Sequence, residues 1–347
     1  MNLGQLSKVE DAKGHLDIAF GRGRKRADEQ RPKTSVKKGI LEKSRRIEKE
    51  RVIAVSRSLQ DTLGRIIKNF PSFDKLPSFY RDLTNTTMDV DDVKHALGSV
   101  QWAVDNIERL TKQALWDISG YDEISKMNAR RRAFYGRVSS LVKQIDKKLS
   151  IIENARRTFK NYPPIKTSMT TIIIAGMPNV GKTTLLTTLT GAEPKIAAYP
   201  FTTQHLMLGY TDEYQFIDTP GLLDRPSKND IEKRALIAIK HLPSLIIFLI
   251  DPTESCGFNV QEQVNLKKNI EKNFDTQIIT IATKKDIAEP EDIERLREKI
   301  VIDMVINAND VGDVKKVLGI VKEKVPVMPE EVKEEDTIVD PDLDEDF

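Results

Sequence analysis

Apolar residues recur with helical spacing through the first half of the chain. The clearest stripe runs at steps of 3, 4, 4 and 3 residues and consists of Val138, Leu141, Ile145, Leu149 and Ile152. Two prolines interrupt the helical pattern at residues 69–77, which predicts a break between two helices. Asp89 or Asp91 would be a suitable cap for a helix over residues 93–110. The pattern therefore predicts a bundle of helices over residues 52–162, packed through such stripes.

From residue 169 onward, short apolar runs alternate with longer amphipathic stretches. The runs predict strands at residues 171–175, 214–217, 245–251 and 277–282. The stretches predict helices at residues 231–241, 260–273, 291–299 and 314–325. Strands that alternate with helices of this length are typical of a doubly wound, mainly parallel α/β sheet, which we expect over residues 168–326.

Charge is distributed unevenly, although the net charge of the chain is only +2. Residues 21–51 carry 13 Lys or Arg against 5 Asp or Glu, so we expect a basic, flexible arm over residues 1–51. This arm is either simply solvated or binds a polyanion. Residues 329–347 carry ten Asp or Glu and one Lys, which predicts a disordered acidic tail over residues 327–347. The tail either shields the basic regions or only adds solubility.

Several classes of protein are excluded by composition. The single cysteine, Cys256, rules out an intrachain disulfide and a metal site built from cysteines. The longest apolar run, residues 245–250, is too short to span a bilayer, and the N-terminus has no apolar signal stretch. We therefore expect a soluble, cytoplasmic protein that does not associate with membranes.

Residues 176–183, with the sequence GMPNVGKT, have the spacing of a loop that holds nucleotide phosphates. The loop stands between a predicted strand and a helix-like run, which is the context that this motif requires. Its glycines let backbone amides point at phosphate oxygens, and the following helix adds its positive end. Lys182 is expected to reach the β- and γ-phosphates, and the Thr183 hydroxyl to ligate Mg²⁺. The remaining phosphate contacts are expected from Asn179, Val180, Gly181 and Thr184.

The choice of base is predicted by residues 283–286, TKKD, which follow a predicted strand. The Asp286 carboxylate can accept hydrogen bonds from guanine N1 and N2 that adenine does not offer, and a buried unpaired group costs about 1–3 kcal/mol. Lys284 is expected to cover one face of the base, and the Ala308 amide to meet guanine O6. Thr283 stands where this motif ordinarily has Asn, so we expect weaker bracing of the loop and lower affinity, with specificity kept.

A Mg²⁺ site needs two further segments, and both follow the phosphate loop in the required order. Asp218 ends an apolar strand, where its carboxylate can hold Mg²⁺ through water, and the Gly221 amide can contact the γ-phosphate. Between the phosphate loop and Asp218, residues 199–203 have the sequence YPFTT. By analogy with related GTPases, we expect Thr203 rather than Thr202 to complete the Mg²⁺ shell.

Leu222 occupies the position at which Ras-like enzymes have a glutamine that orients the attacking water. Leucine cannot polarise water, so we expect slow GTP hydrolysis, with Lys182 and Thr203 as the catalytic residues. Another group must then assist: a switch residue, a bound partner or a cation. Asn179 either helps to bind K⁺, which can substitute for an arginine finger, or only braces the loop.

These motifs resemble the Nog group of the Obg-like GTPases, the nucleolar GTP-binding proteins and their archaeal counterparts. The resemblance lies in GMPNVGKTT, YPFTT and DTPGLLDRP, and in IDPTESCGFNVQEQV at residues 250–264. It extends to LPSFYRDL at residues 76–83, HALG at residues 95–98 and the helix containing Arg130–Arg132. It covers about residues 50–325, and we expect an archaeal type of member because little sequence follows the GTPase region.

The resemblance implies a nucleotide-dependent switch in maturation of the large ribosomal subunit, with GTP, GDP and Mg²⁺ as ligands. Its implied partners are the subunit precursor and its rRNA, with ribosomal proteins or assembly factors, and we expect a monomer away from the ribosome. A GTP-dependent module for a protein or tRNA partner is the alternative. A metabolic NTPase or kinase is disfavoured because no second substrate site is visible.

An rRNA partner agrees with two basic regions, residues 21–51 at +8 and residues 124–160 at +9. Aromatic side chains in the helical region either stack on bases or, as we favour for each, pack inside the bundle. They are Phe79, Tyr80, Trp102, Phe134 and Tyr135.

Overall fold

The computed structural model describes residues 3, 6–33, 39–199, 205–220, 223, 239–240 and 242–326. The chain divides into two compact units, residues 1–164 and residues 165–347, called here the helical unit and the α/β unit. No helix within the described ranges is both long and apolar enough to cross a membrane.

In its described part, the helical unit contains six α-helices. They are α1 (Ala12–Lys33), α2 (Gly39–Asn69), α3 (Ser78–Thr87), α4 (Val90–Gly120), α5 (Ile124–Gln144) and α6 (Asp146–Lys160). A cluster of buried apolar side chains, to which all of these except α3 contribute, forms the core. The predicted helical bundle is therefore confirmed.

The predicted apolar stripe over residues 138–152 lies wholly in this core, but it spans two helices. Helices α5 and α6 meet at Ile145, whose φ of −92° and ψ of 5° depart from the α-helix. Asp89, rather than Asp91, caps α4: its carboxylate accepts a hydrogen bond of 3.0 Å from the backbone N–H of Asp92.

The prediction of a flexible arm over residues 1–51 is wrong where the structure describes it, because residues 12–33 and 39–51 are helical. The buried face of α1 follows helical spacing through Ala12, Leu16, Ala19, Gly23 and Ala27, and His15 and Gln30 are its buried polar side chains. A Cβ at Gly23 would lie 2.6 Å from Val55 Cγ2, so α1 and α2 approach closely there. Sequence reasoning missed this stripe because small side chains add little hydrophobicity to a strongly charged segment.

The α/β unit contains seven described strands and four described helices. The strands are β1 (Thr170–Ala175), β2 (Lys195–Ala198), β3 (His205–Tyr210), β4 (Tyr214–Asp218), β5 (Pro243–Ile250), β6 (Ile278–Ala282) and β7 (Met304–Val305). The helices are α7 (Lys182–Thr190), α8 (Val260–Asn273), α9 (Pro290–Arg297) and α10 (Val311–Lys324). The sequence did not predict β2, β3 or β7. The helix predicted at residues 231–241 and the acidic tail at residues 327–347 lie largely or wholly outside the described residues.

The strands form one sheet in the order β2-β3-β4-β1-β5-β6-β7. Five strands, from β4 to β7 in this order, pair in parallel, whereas β2 and β3 form an antiparallel edge. The central strands β1 and β5 are almost continuously buried, as expected for parallel strands covered on both faces. The mainly parallel α/β fold is confirmed, and the carboxyl ends of its parallel strands share one edge.

Candidate nucleotide-binding site

The loop of residues 176–183 joins β1 to α7 and has a backbone that few residue types permit. Gly176 has a φ of 145°, and a Cβ there would lie 2.5 Å from Leu249 O, so only glycine fits. Gly181 caps α7 with a φ of 100°. Asn179 has a φ of 63°, in the left-handed region that asparagine tolerates better than most residues. This conformation accounts for asparagine at position 179 without any ligand.

Lys182, the first residue of α7, lies inside this loop with only 6% of its surface exposed. Its Nζ donates hydrogen bonds to the backbone oxygens of Gly176 at 3.0 Å and Met177 at 2.9 Å. The ammonium group and the positive end of the helix dipole therefore lie together, which creates a local site for phosphate oxygens.

The end of β4 brings Asp218 to the same edge of the sheet, where it lies opposite Ile174 of β1. Asp218 is fully buried, and its Oδ2 accepts a hydrogen bond of 3.0 Å from the Thr183 hydroxyl. Oxygen ligands of this kind, placed this close together, fit a hard divalent cation such as Mg²⁺. The structure thus brings together two of the three residues that the sequence predicted to hold Mg²⁺.

Three predicted residues lie outside the described part of the chain: Thr203, Gly221 and Leu222. Their roles stay predictions. Thr203 lies between two described residues: Tyr199, which is buried, and His205, at which β3 begins.

Thr283 connects the base loop, residues 283–286, to the phosphate loop. It is buried, and its hydroxyl donates a hydrogen bond of 2.8 Å to Val180 O. Its backbone N–H donates to Ile250 O at 2.9 Å. The bracing that we expected to be weaker without asparagine is therefore present as a direct bond between the two loops.

Asp251, immediately after β5, organises the neighbouring loop, and sequence reasoning did not select it. It is fully buried, its Oδ2 lies 2.9 Å from Lys284 Nζ, and it accepts the backbone N–H of Cys256 at 2.7 Å. Burial raises the pKa of the Asp251 carboxyl, but Lys284 and the donors of Thr253 and Cys256 outweigh burial and hold that pKa below its ordinary value. The Lys284 ammonium is thus fixed on Asp251. An acidic residue directly after a buried central strand was the available signal.

The turn of residues 307–309 is held beside the base loop by Asp313, which sequence reasoning also missed. The Asp313 carboxylate accepts the Asn307 N–H at 3.1 Å and lies 3.1 Å from Lys285 Nζ. These two donors lower the pKa of Asp313 to about 2. Ala308 is buried, and a Cβ at Gly181 would lie 3.7 Å from its Cβ, so this turn borders the phosphate loop.

Asp286 is exposed at the end of the base loop. It follows Thr283 and Lys284, which are bonded to the phosphate loop and to Asp251 respectively. The carboxylate is therefore carried on a loop anchored at two neighbouring points and is open to a ligand.

Comparison with known proteins gives two family matches that together cover most of the chain. Residues 4–166 match the NOG1 N-terminal helical domain, and residues 171–285 match a family described as 50S ribosome-binding GTPase. An uncharacterized protein of Methanocaldococcus jannaschii is 37% identical over 278 residues, which are 80% of this chain and 78% of that protein.

Eukaryotic relatives are longer than this chain. Nucleolar GTP-binding protein 1 of Drosophila melanogaster is 32% identical over 308 residues, which are 86% of this chain and 46% of that protein. This chain spans about half the length of such relatives. Among solved structures, one of a putative nucleolar GTP-binding protein 1 of Plasmodium falciparum matches this chain at 27% identity. The match covers 47% of this chain and 89% of that one, with a TM-score of 0.40.

Proposed function

The chain belongs to the NOG1 family of GTP-binding proteins, and from this premise we propose that it is a GTPase switch in assembly of the large ribosomal subunit, acting through pre-ribosomal RNA. The observation that carries the proposal is the convergence of the phosphate loop, Asp218 and the base loop at one edge of the sheet. The names of the matched ribosome-binding family and of the nucleolar relatives support the ribosomal role.

In the proposed site, Lys182 binds the β- and γ-phosphates in place of the two carbonyls that it contacts now. Backbone amides over residues 179–184 bind the other phosphate oxygens. Thr183, Asp218 and Thr203 would hold Mg²⁺, which neutralises charge on the phosphates when bound. The Thr183–Asp218 contact supports this assignment because it already places two of the three oxygen groups together.

Guanine is proposed to bind against the base loop. Asp286 accepts from N1 and N2, the Ala308 amide donates to O6, and the Lys284 stem covers one face of the base. Lys284 is suited to this role because Asp251 fixes its ammonium group and thereby limits the motion of the stem. Thr283 contributes to guanine binding indirectly, because its hydroxyl joins the base loop to Val180 of the phosphate loop.

Hydrolysis is proposed to be slow, because Leu222 offers no group that can orient water. Slow hydrolysis suits a switch whose lifetime in the GTP state is set by its partner. Gly221 is proposed to contact the γ-phosphate and so to distinguish GTP from GDP.

RNA binding is proposed for the basic faces of the helical unit. Many of its cations are engaged in ion pairs, such as Arg130 with Asp117 and Arg131 with Glu48. Others are exposed on α1 and α5, and they are Arg22, Arg24, Lys25, Arg132, Arg137 and Lys143. A set of exposed cations on two helices that contact each other supports binding to a polyanion.

Co-sedimentation with purified large subunits tests the switch, with a non-hydrolysable GTP analogue in one sample and GDP in the other. Tighter association with the analogue is expected, and Lys182→Ala should abolish the difference because it removes the phosphate contact. Equal affinity in both nucleotide states would refute the switch. Association that survives complete nuclease digestion of the RNA would indicate a protein partner instead.

A further inference from the structure

An open groove with a volume of about 510 Å³ runs along α4 beside the junction of α5 and α6. One wall consists of α4 residues, which include Trp102. The other wall is formed by Gln144, Ile145 and Lys148, where the helix is interrupted. The groove therefore lies between α4 and the junction of α5 and α6.

Trp102 differs from the other aromatic residues that the sequence offered as stacking candidates. Phe79, Tyr80 and Phe134 are buried, and Tyr135 packs against Phe20 with ring centroids 4.7 Å apart. Packing inside the bundle therefore accounts for these four. Trp102 is 50% exposed, so one part of its indole contacts the protein while the other part faces the groove.

Small residues keep the surface beside the indole open. Gly98 lies one turn before Trp102 on the same side of α4, and a Cβ added there would meet no atom within 4 Å. Ser99 also lines the groove, and its hydroxyl donates to His95 O at 2.9 Å. A flat ring can therefore approach the indole without displacing a side chain.

The polar groups of the groove match a nucleotide. Gln144 offers an amide that can both donate and accept, and Lys148 offers a cation. Lys148 Nζ lies 3.3 Å from Asp92 Oδ1, a long contact for an ion pair, and phosphate oxygens can compete for it. None of the residues that line the groove is a carboxylate, which favours an anionic ligand over a basic peptide.

We propose that this groove binds one unpaired base of a single-stranded RNA, stacked on Trp102, with Gln144 at the base edge and Lys148 on the adjacent phosphate. The inference rests on the proposed function for its choice of RNA as the partner. It assigns to the helical unit a contact with bases, distinct from the phosphate contacts of its basic faces. A half-exposed aromatic side chain next to a cation is the arrangement that single-strand binding uses.

The chain offers its own fluorescence reporter, because Trp102 and Trp116 are its two tryptophans. Trp116 is 80% exposed on the same helix but does not line the groove. In the full-length Trp116→Phe variant, titration with a 12-nucleotide single-stranded RNA should quench and shift the emission of Trp102. A duplex of the same sequence should leave the emission unchanged, because its bases are stacked on one another.

Affinity gives the second measurement, by anisotropy of the labelled RNA. Trp102→Ala should weaken single-strand binding by about 5- to 150-fold, the loss expected for one stacked base. The matched variant Trp116→Ala should stay within about twofold of wild type. Gly98→Leu, which places a side chain in the groove beside the indole and leaves the indole in place, should weaken binding as Trp102→Ala does. Lys148→Gln should lower the salt dependence by about one phosphate contact.

Three outcomes would overturn the proposal. They are unchanged single-strand affinity in both Trp102→Ala and Gly98→Leu, an equal loss for single strand and duplex, and a Trp102 emission that responds to ribosomal protein but not to RNA. Each variant is also tested for GTP binding, which should be unaffected because the groove lies within the helical unit. If the groove variants fail these tests while GTP-dependent subunit binding is intact, RNA binding by the groove is rejected and the proposed switch stands.

Discussion

Replacement of Thr283 by valine tests the link between the two loops that hold the nucleotide. Valine keeps the branched shape of threonine and removes only the hydroxyl group. The hydroxyl donates its hydrogen bond of 2.8 Å to Val180 O, and both residues are buried. The Val180 carbonyl would therefore lose this bond at a place where water has little access.

The expected magnitude follows from that burial. A buried polar group that loses its partner costs about 1–3 kcal/mol, more than the net value of an exposed hydrogen bond. We therefore expect the free energy of unfolding of the α/β unit to fall by about 1–3 kcal/mol. If the phosphate loop also becomes less ordered without nucleotide, GDP binding must supply the free energy that orders it. The GDP affinity then falls by the same 1–3 kcal/mol at most, which is about 150-fold or less.

Urea unfolding of the full chain and titration with fluorescent GDP measure the two quantities. Thr283→Ser keeps the hydroxyl and should keep most of the nucleotide affinity. Thr280→Val removes a buried hydroxyl three residues earlier, within β6, and serves as the matched control for loss of polarity. Thr283→Asn restores the ordinary residue of this motif and should bind GDP within a few-fold of wild type.

A stability of Thr283→Val within about 0.5 kcal/mol of wild type, together with unchanged GDP affinity, would refute the reasoning. It would mean that Val180 O finds another donor or that the two loops are held together by other contacts. An equal loss in Thr280→Val would assign the effect to the strand and not to the link between the loops.

Other predictions concern the nucleotide, the cation and the helical unit. Lys182→Ala should weaken GTP and GDP binding strongly in nucleotide titrations, since the phosphate loop loses its buried ammonium, and retained affinity would contradict its role. Asp286→Asn should relax the preference for GTP over ATP in competition assays, and an unchanged GTP affinity would show that the base loop is misassigned. If Asn179 helps to bind K⁺, GTP hydrolysis should be faster in KCl than in NaCl, and Asn179→Gly should abolish the difference. Equal rates in both salts would leave Asn179 only its role in the left-handed turn of the phosphate loop. Hydrogen bonds from Arg156 are the main cause that lowers the pKa of Glu153 to about 2. The stabilisation by Glu153 is therefore complete above about pH 4.5 and is lost as the pH falls through about 2. Glu153→Gln should destabilise the protein at pH 7 and progressively less towards pH 2. A stability difference between variant and wild type that stays constant with pH would contradict this pKa.

Local spacing was sufficient for much of the fold and the phosphate loop. The motif at residues 176–183 needs a fixed order of glycines, lysine and threonine along one short stretch, and the structure has the loop where that order predicted it. The stripe over residues 138–152 was visible for the same reason, since side chains three and four residues apart share a helix face. Where the spacing involved small residues, as on α1, the same method failed.

Contacts between distant segments were decided by the tertiary structure alone. Thr283 meets Val180 across 103 residues of sequence, and Asp251 meets Lys284 because β5 and β6 are neighbours in the sheet. Parallel strands place their carboxyl ends side by side, but the order in which they do so is set by the packing of the whole sheet. The groove beside Trp102 likewise joins α4 to a helix junction about forty residues away in sequence. The sequence thus determined the chemistry of each loop, and the tertiary structure decided which loops hold one another, because strand order and helix packing are properties of the whole unit.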